Sequence, residues 1–302
     1  MACKSQPWNG VSRNEYTLHR HLQPRGPTQS HPNVVRLLET RLSGNAAAAA
    51  AAGNNNNKKR SFLLFELADM DLLRLLRKQG GDWQLFPVAQ RVAMLHDIAR
   101  GLHFLHRKRV LHLDLKPANL LVFGRRCKIG DLGAAYLLPA GCVARELRDP
   151  RACVVTNPYR APELMAPRTS SLSVTSAADI WSLGALVLDL FGMRAFQTSM
   201  FVDETRAKHP TIDTHEAELM AEVLQRRLVD EWLTPQPPQQ QQTTAVPGLT
   251  PALSPALSPL ENLVHQNAFL PTKLKPLVLA MLARSPSDRP SINTIVESLC
   301  CM

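Results

Sequence analysis

Between Val110 and Glu163 three short signatures fall in a fixed order: His112-Leu113-Asp114-Leu115-Lys116-Pro117-Ala118-Asn119, then Asp131-Leu132-Gly133, then Ala161-Pro162-Glu163. Each alone arises by chance in many chains. The ordered set is far harder to obtain accidentally, because a lysine follows Asp114 after two residues and an asparagine comes three residues later. It commits the middle of the chain to one architecture, with which the rest of the sequence has to agree.

The flanking segments agree with a small mixed region followed by a larger helical one. Residues 34–38 and 61–67 are β-branched or apolar runs bounded by polar stretches and predict strands. Between them an alanine run at 46–52 ends in Gly53 and four asparagines, a composition that predicts a disordered insertion at about 44–60. From Phe86 to His106, apolar residues recur at helical spacing through Val88, Val92, Leu95, Ile98, Leu102 and Leu105, which predicts a long amphipathic helix leading into the first signature. The stretch Ala177–Leu188 is apolar nearly all round and predicts a buried helix. Residues 234–260, rich in Pro and Gln, predict a second insertion. Helical periodicity returns from Leu270 to Leu299.

A chain of 302 residues with 45% apolar content can bury a sizeable core. It contains no run of eighteen apolar residues and no N-terminal secretory stretch, so no membrane span is expected. The formal charge of +10 is spread along the chain without aromatic interleaving, a pattern of general solubility rather than specific nucleic-acid binding. The six cysteines lack paired metal-ligand spacing and read as reduced, cytosolic thiols. A cytoplasmic location is the corresponding expectation.

The three signatures resemble the catalytic loop, metal-binding turn and activation-segment anchor of eukaryotic protein kinases of the serine/threonine type. That resemblance implies an α+β, bilobal fold: a small β-rich lobe over about 1–67, a hinge over about 66–71 and a mainly helical lobe over about 72–302. It implies ATP and Mg²⁺ as cofactors. By the same resemblance Asp114 orients the substrate hydroxyl and accepts its proton, Lys116 touches the transferred phosphate, and Asn119 and Asp131 hold the metal. Ala2-Cys3-Lys4 resembles the end of the strand carrying the ATP-binding lysine, with Glu15 as its partner. Phe65-Glu66-Leu67-Ala68 resembles the hinge, with Phe65 as gatekeeper and the backbone groups of Glu66 and Ala68 meeting adenine. Leu121 joins the nucleotide-binding set, and Asp69 or Asp71 would meet the ribose. Glu163 and Arg289 resemble a buried structural ion pair, and Asp179 the helix aspartate that holds the catalytic-loop backbone.

The sequence departs from the kinase pattern in three places. Leu113 replaces the arginine that clamps a phosphorylated activation loop in many relatives. From Asp131 to Val155 the only hydroxyl side chain is Tyr136, and Thr156 comes first thereafter, which predicts independence from activation-loop phosphorylation. No Gly-x-Gly-x-x-Gly precedes Lys4, which reads as an incomplete chain; the alternative is a pseudokinase scaffold.

His-Leu-Asp-Leu-Lys-Pro-Ala-Asn-Leu-Leu further resembles the Mos family, as does Tyr159-Arg160-Ala161-Pro162-Glu163. That likeness implies a monomeric kinase acting on a MAP kinase kinase in oocyte meiosis. Thr234-Pro235, Thr250-Pro251, Ser254-Pro255 and Ser258-Pro259, in a segment expected to be flexible, match the target pattern of proline-directed kinases.

Overall fold

The structure, a computed structural model, describes residues 1–7, 9–24, 26, 28, 30–43, 60–78, 86–147, 159–165, 172–193, 226–235 and 257–301. The alanine–asparagine run, Thr156, Thr250-Pro251 and Ser254-Pro255 lie outside these residues.

The N-terminal part is a three-stranded antiparallel sheet in the order β1-β3-β2, with β1 at Ala2–Pro7, β2 at Leu37–Ser43 and β3 at Arg60–Phe65. Helix α1 (Gly10–Leu22) packs beside it. Asn9 starts that helix because its side chain accepts the Ser12 N–H at 3.1 Å while Ser12 Oγ accepts the Asn9 N–H at 2.9 Å. This reciprocal cap satisfies two otherwise orphaned donors. Leu18 and Leu22 bury the inner face of α1.

All three strands differ from the sequence-based reading. The strand expected at 61–67 ends at Phe65, and the one expected at 34–38 begins at Leu37. Val34 and Val35 are extended but bond to Ile129, with Val35 N–H donating to the Ile129 carbonyl at 2.8 Å. They join the second sheet, not the first. Lys4 also sits inside β1 rather than at its end, because the strand runs on to Pro7 opposite Arg60.

After β3 the chain crosses to α2 (Leu72–Lys78) and the 20-residue α3 (Val88–Arg107). Helix α3 starts after Pro87, and Met94, Leu95, Ile98, Leu102 and Leu105 lie fully inside. Gly101 on α3 lets another segment approach, since a Cβ there would meet the Asn33 carbonyl at 2.5 Å. A second sheet, β4-β6-β7, combines Met70–Asp71, Leu120–Phe123 and Arg126–Ile129. Short β5 (Val110–Leu111) pairs with β8 (Tyr136–Leu137), and β9 (Ala144–Leu147) with β10 (Leu172–Thr175).

Helix α4 (Ala177–Leu190) is buried on nearly every face, as its sequence requires. Helices α5 (Pro259–Gln266), α6 (Lys275–Met281) and α7 (Ile292–Cys300) complete the larger lobe. The expected continuous periodicity from Leu270 to Leu299 is broken by short 3₁₀ turns at Thr272–Leu274 and Pro286–Asp288. Prolines 271, 286 and 290 account for the breaks, since each removes a backbone donor.

The second insertion also ends earlier than its composition suggested. Ser258-Pro259 is the buried start of α5: Ser258 N–H donates to Glu261 Oε2 at 2.7 Å, and Glu261 N–H donates to Ser258 Oγ at 3.2 Å. Ser-Pro-x-Glu is a capping box with proline at the first helical position, so this site is folded rather than flexible.

Candidate active site

The catalytic loop is shaped by a carboxylate that reaches up from α4. Asp179 accepts the backbone N–H of His112 at 2.9 Å and of Leu113 at 2.8 Å. Its remaining contact is His106 Nε2 at 2.8 Å. Burial pushes the Asp179 carboxyl up, but His106 and the backbone donors outweigh this and hold it below the usual carboxylate range. The two bonds fix Leu113 at φ 59°, a left-handed geometry unfavourable for leucine. Its side chain is buried, so the position usually filled by a phosphate-clamping cation is here hydrocarbon.

His112 completes the turn. Its Nδ1 accepts the Asp114 N–H at 3.2 Å, so the ring proton belongs on Nε2, 3.0 Å from the Gly130 carbonyl. The loop is thereby stitched to the residue before Asp131. Asp131 itself has φ 52°, tolerable for an aspartate.

The acidic and amide groups converge. Asn119 Nδ2 donates to the Asp114 carbonyl at 2.7 Å and to Asp114 Oδ2 at 2.9 Å. Lys116 Nζ lies 2.8 Å from the same carboxylate oxygen. On the opposite wall, Lys4 Nζ lies 3.0 Å from Glu15 and 2.8 Å from Asp131 Oδ1. Gln6 Nε2 supports Glu15 at 3.0 Å. Burial alone would lower the Lys4 ammonium, but Asp131 and Glu15 leave it raised. Burial pushes the Asp131 carboxyl up, while Lys4 and the Gly133 N–H more than offset that and leave it lowered.

A cleft of about 370 Å³ lies between the lobes, lined on one side by Lys4, Glu15, Glu66 and Ala68, and on the other by Leu121, Asn119 and Asp131. Seven of the expected site residues therefore meet in one cavity. Asp114 and Lys116 stand next to it, joined through Asn119.

The cleft fits a magnesium–nucleotide. Asn119 spends its amide nitrogen on Asp114, and Asp131 spends Oδ1 on Lys4 and Gly133. Asn119 Oδ1 and Asp131 Oδ2 have no partner among the described residues, and both are the hard oxygens that Mg²⁺ prefers. The ammonium of Lys4 supplies countercharge for phosphate.

Three details were not legible in the sequence. The Glu66 carboxylate takes both Lys128 Nζ contacts, at 2.7 and 2.8 Å, and the Arg36 N–H at 2.9 Å, so the hinge is tied to β7 by its side chain. Asp69 caps the Gly124 N–H and Asp71 caps the Arg74 N–H at 2.8 Å, so both expected ribose partners have local structural work. Arg74, one turn into α2, lines the cleft, and only its place three residues after Asp71 could have signalled it.

Away from the cleft, Arg289 Nη1 and Nη2 each lie 2.7 Å from a different oxygen of Glu163, and the guanidinium also donates to the carbonyls of Ala177, Ala283 and Arg284. Among the described residues no helix is long and apolar enough to cross a membrane.

Fold and site together define a phosphotransferase cleft between a small β-rich and a larger helical lobe. Residues 4–299 match the protein kinase domain, and the chain belongs to that family, whose members use ATP and Mg²⁺. It is 30% identical over 223 residues to the serine/threonine-protein kinase SSN3 of Phaeosphaeria nodorum, covering 72% of this chain and 46% of that protein. Over 170 residues it is 35% identical to cyclin-dependent kinase 8 of Drosophila melanogaster, covering 53% of this chain and 34% of the fly protein. A third relative, SSN3 of Mycosarcoma maydis, is 30% identical over 231 residues, 74% of this chain and 29% of that protein. The chain spans less than half the length of these relatives. None of them is a Mos kinase, and the Mos likeness read from the catalytic loop gains no support from them.

Proposed function

We propose that the chain is an active serine/threonine kinase in which the nine residues named above divide the work of phosphoryl transfer. Asp114 aims the substrate hydroxyl and takes its proton. Lys116, on the same carboxylate, neutralises charge on the moving phosphoryl group. Asn119 and Asp131 offer their unshared oxygens to magnesium, which draws charge from the phosphates when bound. Lys4, positioned by Glu15, contacts the phosphates, and Glu66 and Ala68 present backbone groups to adenine above Leu121. Transfer through a loose transition state needs positioning and charge neutralisation more than covalent help.

The observation that carries this reading is the double hydrogen bond from Asn119 to Asp114. It joins the base to a metal ligand, and the other metal ligand, Asp131, lies on the same wall and accepts from Lys4 across the cleft. A pseudokinase scaffold has no use for that alignment. Purified protein incubated with Mg-ATP and a serine/threonine peptide mixture should incorporate phosphate on Ser or Thr, and Asp114→Asn should lower the rate by about 10²–10⁴. Equal incorporation by Asp114→Asn, or none by the parent chain, would sink the proposal.

For partner and substrate, the names of the relatives favour a cyclin-dependent kinase, and dependence on an added cyclin tests that directly. The narrower Mos-like reading, with a MAP kinase kinase as substrate in oocyte meiosis, rests on residues 112–121 and 159–163. Phosphorylation of a kinase-inactive MAP kinase kinase without any cyclin would favour it.

A further inference from the structure

Helix α2 begins at the edge of the nucleotide cleft, where Arg74 joins the lining. Leu72 and Leu76 are buried, so the helix turns Arg74 and Arg77 outward, and both are exposed. Three residues apart, the two cations are neighbours on the helix surface. The same helix packs against the Pro117–Asn119 turn, which follows Lys116 and carries Asn119. Within that turn Ala118 is exposed and lines the cleft, adding neither charge nor bulk there. Basic side chains on a helix surface usually serve solubility alone. This pair instead starts at the rim of the reaction cleft, on an element that supports the catalytic loop.

The charges of the rim are unevenly spent. Glu15 and Asp131 are taken by Lys4, and Glu66 by Lys128. Asp69 accepts the Gly124 N–H. Asp71 caps the Arg74 N–H at 2.8 Å and lies 3.3 Å from Arg74 Nε. Every carboxylate that lines the cleft or precedes α2 thus has a partner, and none is left for a basic substrate side chain. The cations are the reverse. Arg77 makes no hydrogen bond or ion pair among the described residues, and the Arg74 guanidinium, 76% exposed, has only Asp71. An exposed pair of that kind is weak. A guanidinium also carries five donors in a fork that matches a carboxylate, so Arg74 can take a second one.

We propose that Arg74 and Arg77 are specificity-determining residues that read Asp or Glu side chains flanking the Ser or Thr to be phosphorylated, which makes acidic protein segments the substrate class. The inference rests on the kinase reading above and names what that same cleft accepts. Lysine or arginine beside the acceptor would meet two like charges and no carboxylate to receive it. Arg74, at the cleft, meets the residue closer to the acceptor, and Arg77 one further out. Neither contacts the transferred phosphoryl group. Both act on peptide binding and leave the chemistry to Asp114 and Lys116.

The test is phosphate transfer from Mg-ATP by the full chain to a serine/threonine peptide library in which Asp, Ala or Lys is fixed at each position flanking the acceptor. Asp should raise incorporation over Ala by about fivefold at one position or more, the upper end for an exposed ion pair, and Lys should lower it. On the best peptide the gain should lie in KM, with kcat unchanged. Arg74→Glu should remove the Asp preference or turn it towards Lys, whereas Arg74→Lys should keep it. Arg77→Glu, at an exposed side chain, should cut the preference as well, and it takes over as the test where Arg74→Glu folds poorly. Equal incorporation with Asp, Ala and Lys at every position overturns the proposal and leaves the kinase reading intact, as does an Asp preference that survives either charge reversal. No incorporation into any peptide removes the kinase reading and this one with it.

Discussion

Asn119 grips Asp114 at two points, the carbonyl at 2.7 Å and the carboxylate at 2.9 Å, from a single amide nitrogen. The sequence separation of five residues is bridged by the short 3₁₀ turn at Pro117–Asn119. On the proposed reading, one side chain therefore sets the base and presents a metal ligand together.

Replacing that amide separates the two duties. Asn119→Asp keeps an oxygen for the metal but loses both donated bonds and places one carboxylate against another. Phosphate incorporation should fall by about 10²-fold or more, while the midpoint of thermal unfolding changes little. A rate within a factor of two of the parent would show that Asp114 does not depend on Asn119.

The lysine opposite is held by two carboxylates, and Lys4→Met releases both. Nucleotide affinity, measured by fluorescence of a labelled ATP analogue, should drop by about 1.5–3 kcal/mol, the usual worth of a charged hydrogen bond. Glu15→Gln should give a smaller loss, because Asp131 still positions the ammonium at 2.8 Å.

Arg289 makes the case for stability. Its guanidinium is bonded to both oxygens of Glu163 and to three main-chain carbonyls. Arg289→Met leaves a carboxylate and those carbonyls without donors, so unfolding free energy should fall by about 3–5 kcal/mol. Denaturant titration checks it. A loss below about 1 kcal/mol would mean that water replaces the guanidinium without cost.

The buried His19 makes stability sensitive to acid. Its folded pKa, about 4, lies below its ordinary value of 6.5. The unfolded chain therefore binds this proton more readily, and stability falls as pH drops from 6.5 towards 4, then levels for this group. The loss amounts to about 3 kcal/mol at one pKa unit per 1.36 kcal/mol. His19→Leu should flatten that limb in urea titrations at pH 7 and 4.5. Asp131 and Asp179, whose pKa values are lowered on folding, withdraw their stabilisation further down, as pH falls through their folded values.

What the sequence revealed was what depends on short spacing. Asp114, Lys116 and Asn119 lie within one turn of chain, and Asp131 follows one hairpin later, so their convergence was readable from order alone. Helix α4 was readable because it is apolar on every side. The side-chain pairing of Glu66 was not, since its carboxylate is used by Lys128, 62 residues away in sequence, and nothing local marks that contact. Nor were the strand bounds at 34–38, because Val34 and Val35 satisfy their backbone through Ile129 rather than through a neighbour in β3. The cap at Ser258 was hidden for the opposite reason: proline-rich composition masks a helix start that the Ser-Pro-x-Glu spacing encodes.

The hydrocarbon at Leu113 changes what can act on the reaction centre. Lacking a guanidinium at this position, the loop offers no second cation beside Lys116 for an added phosphate to clamp. What sets its shape instead is the apolar interior that Leu113 enters and the two backbone bonds to Asp179.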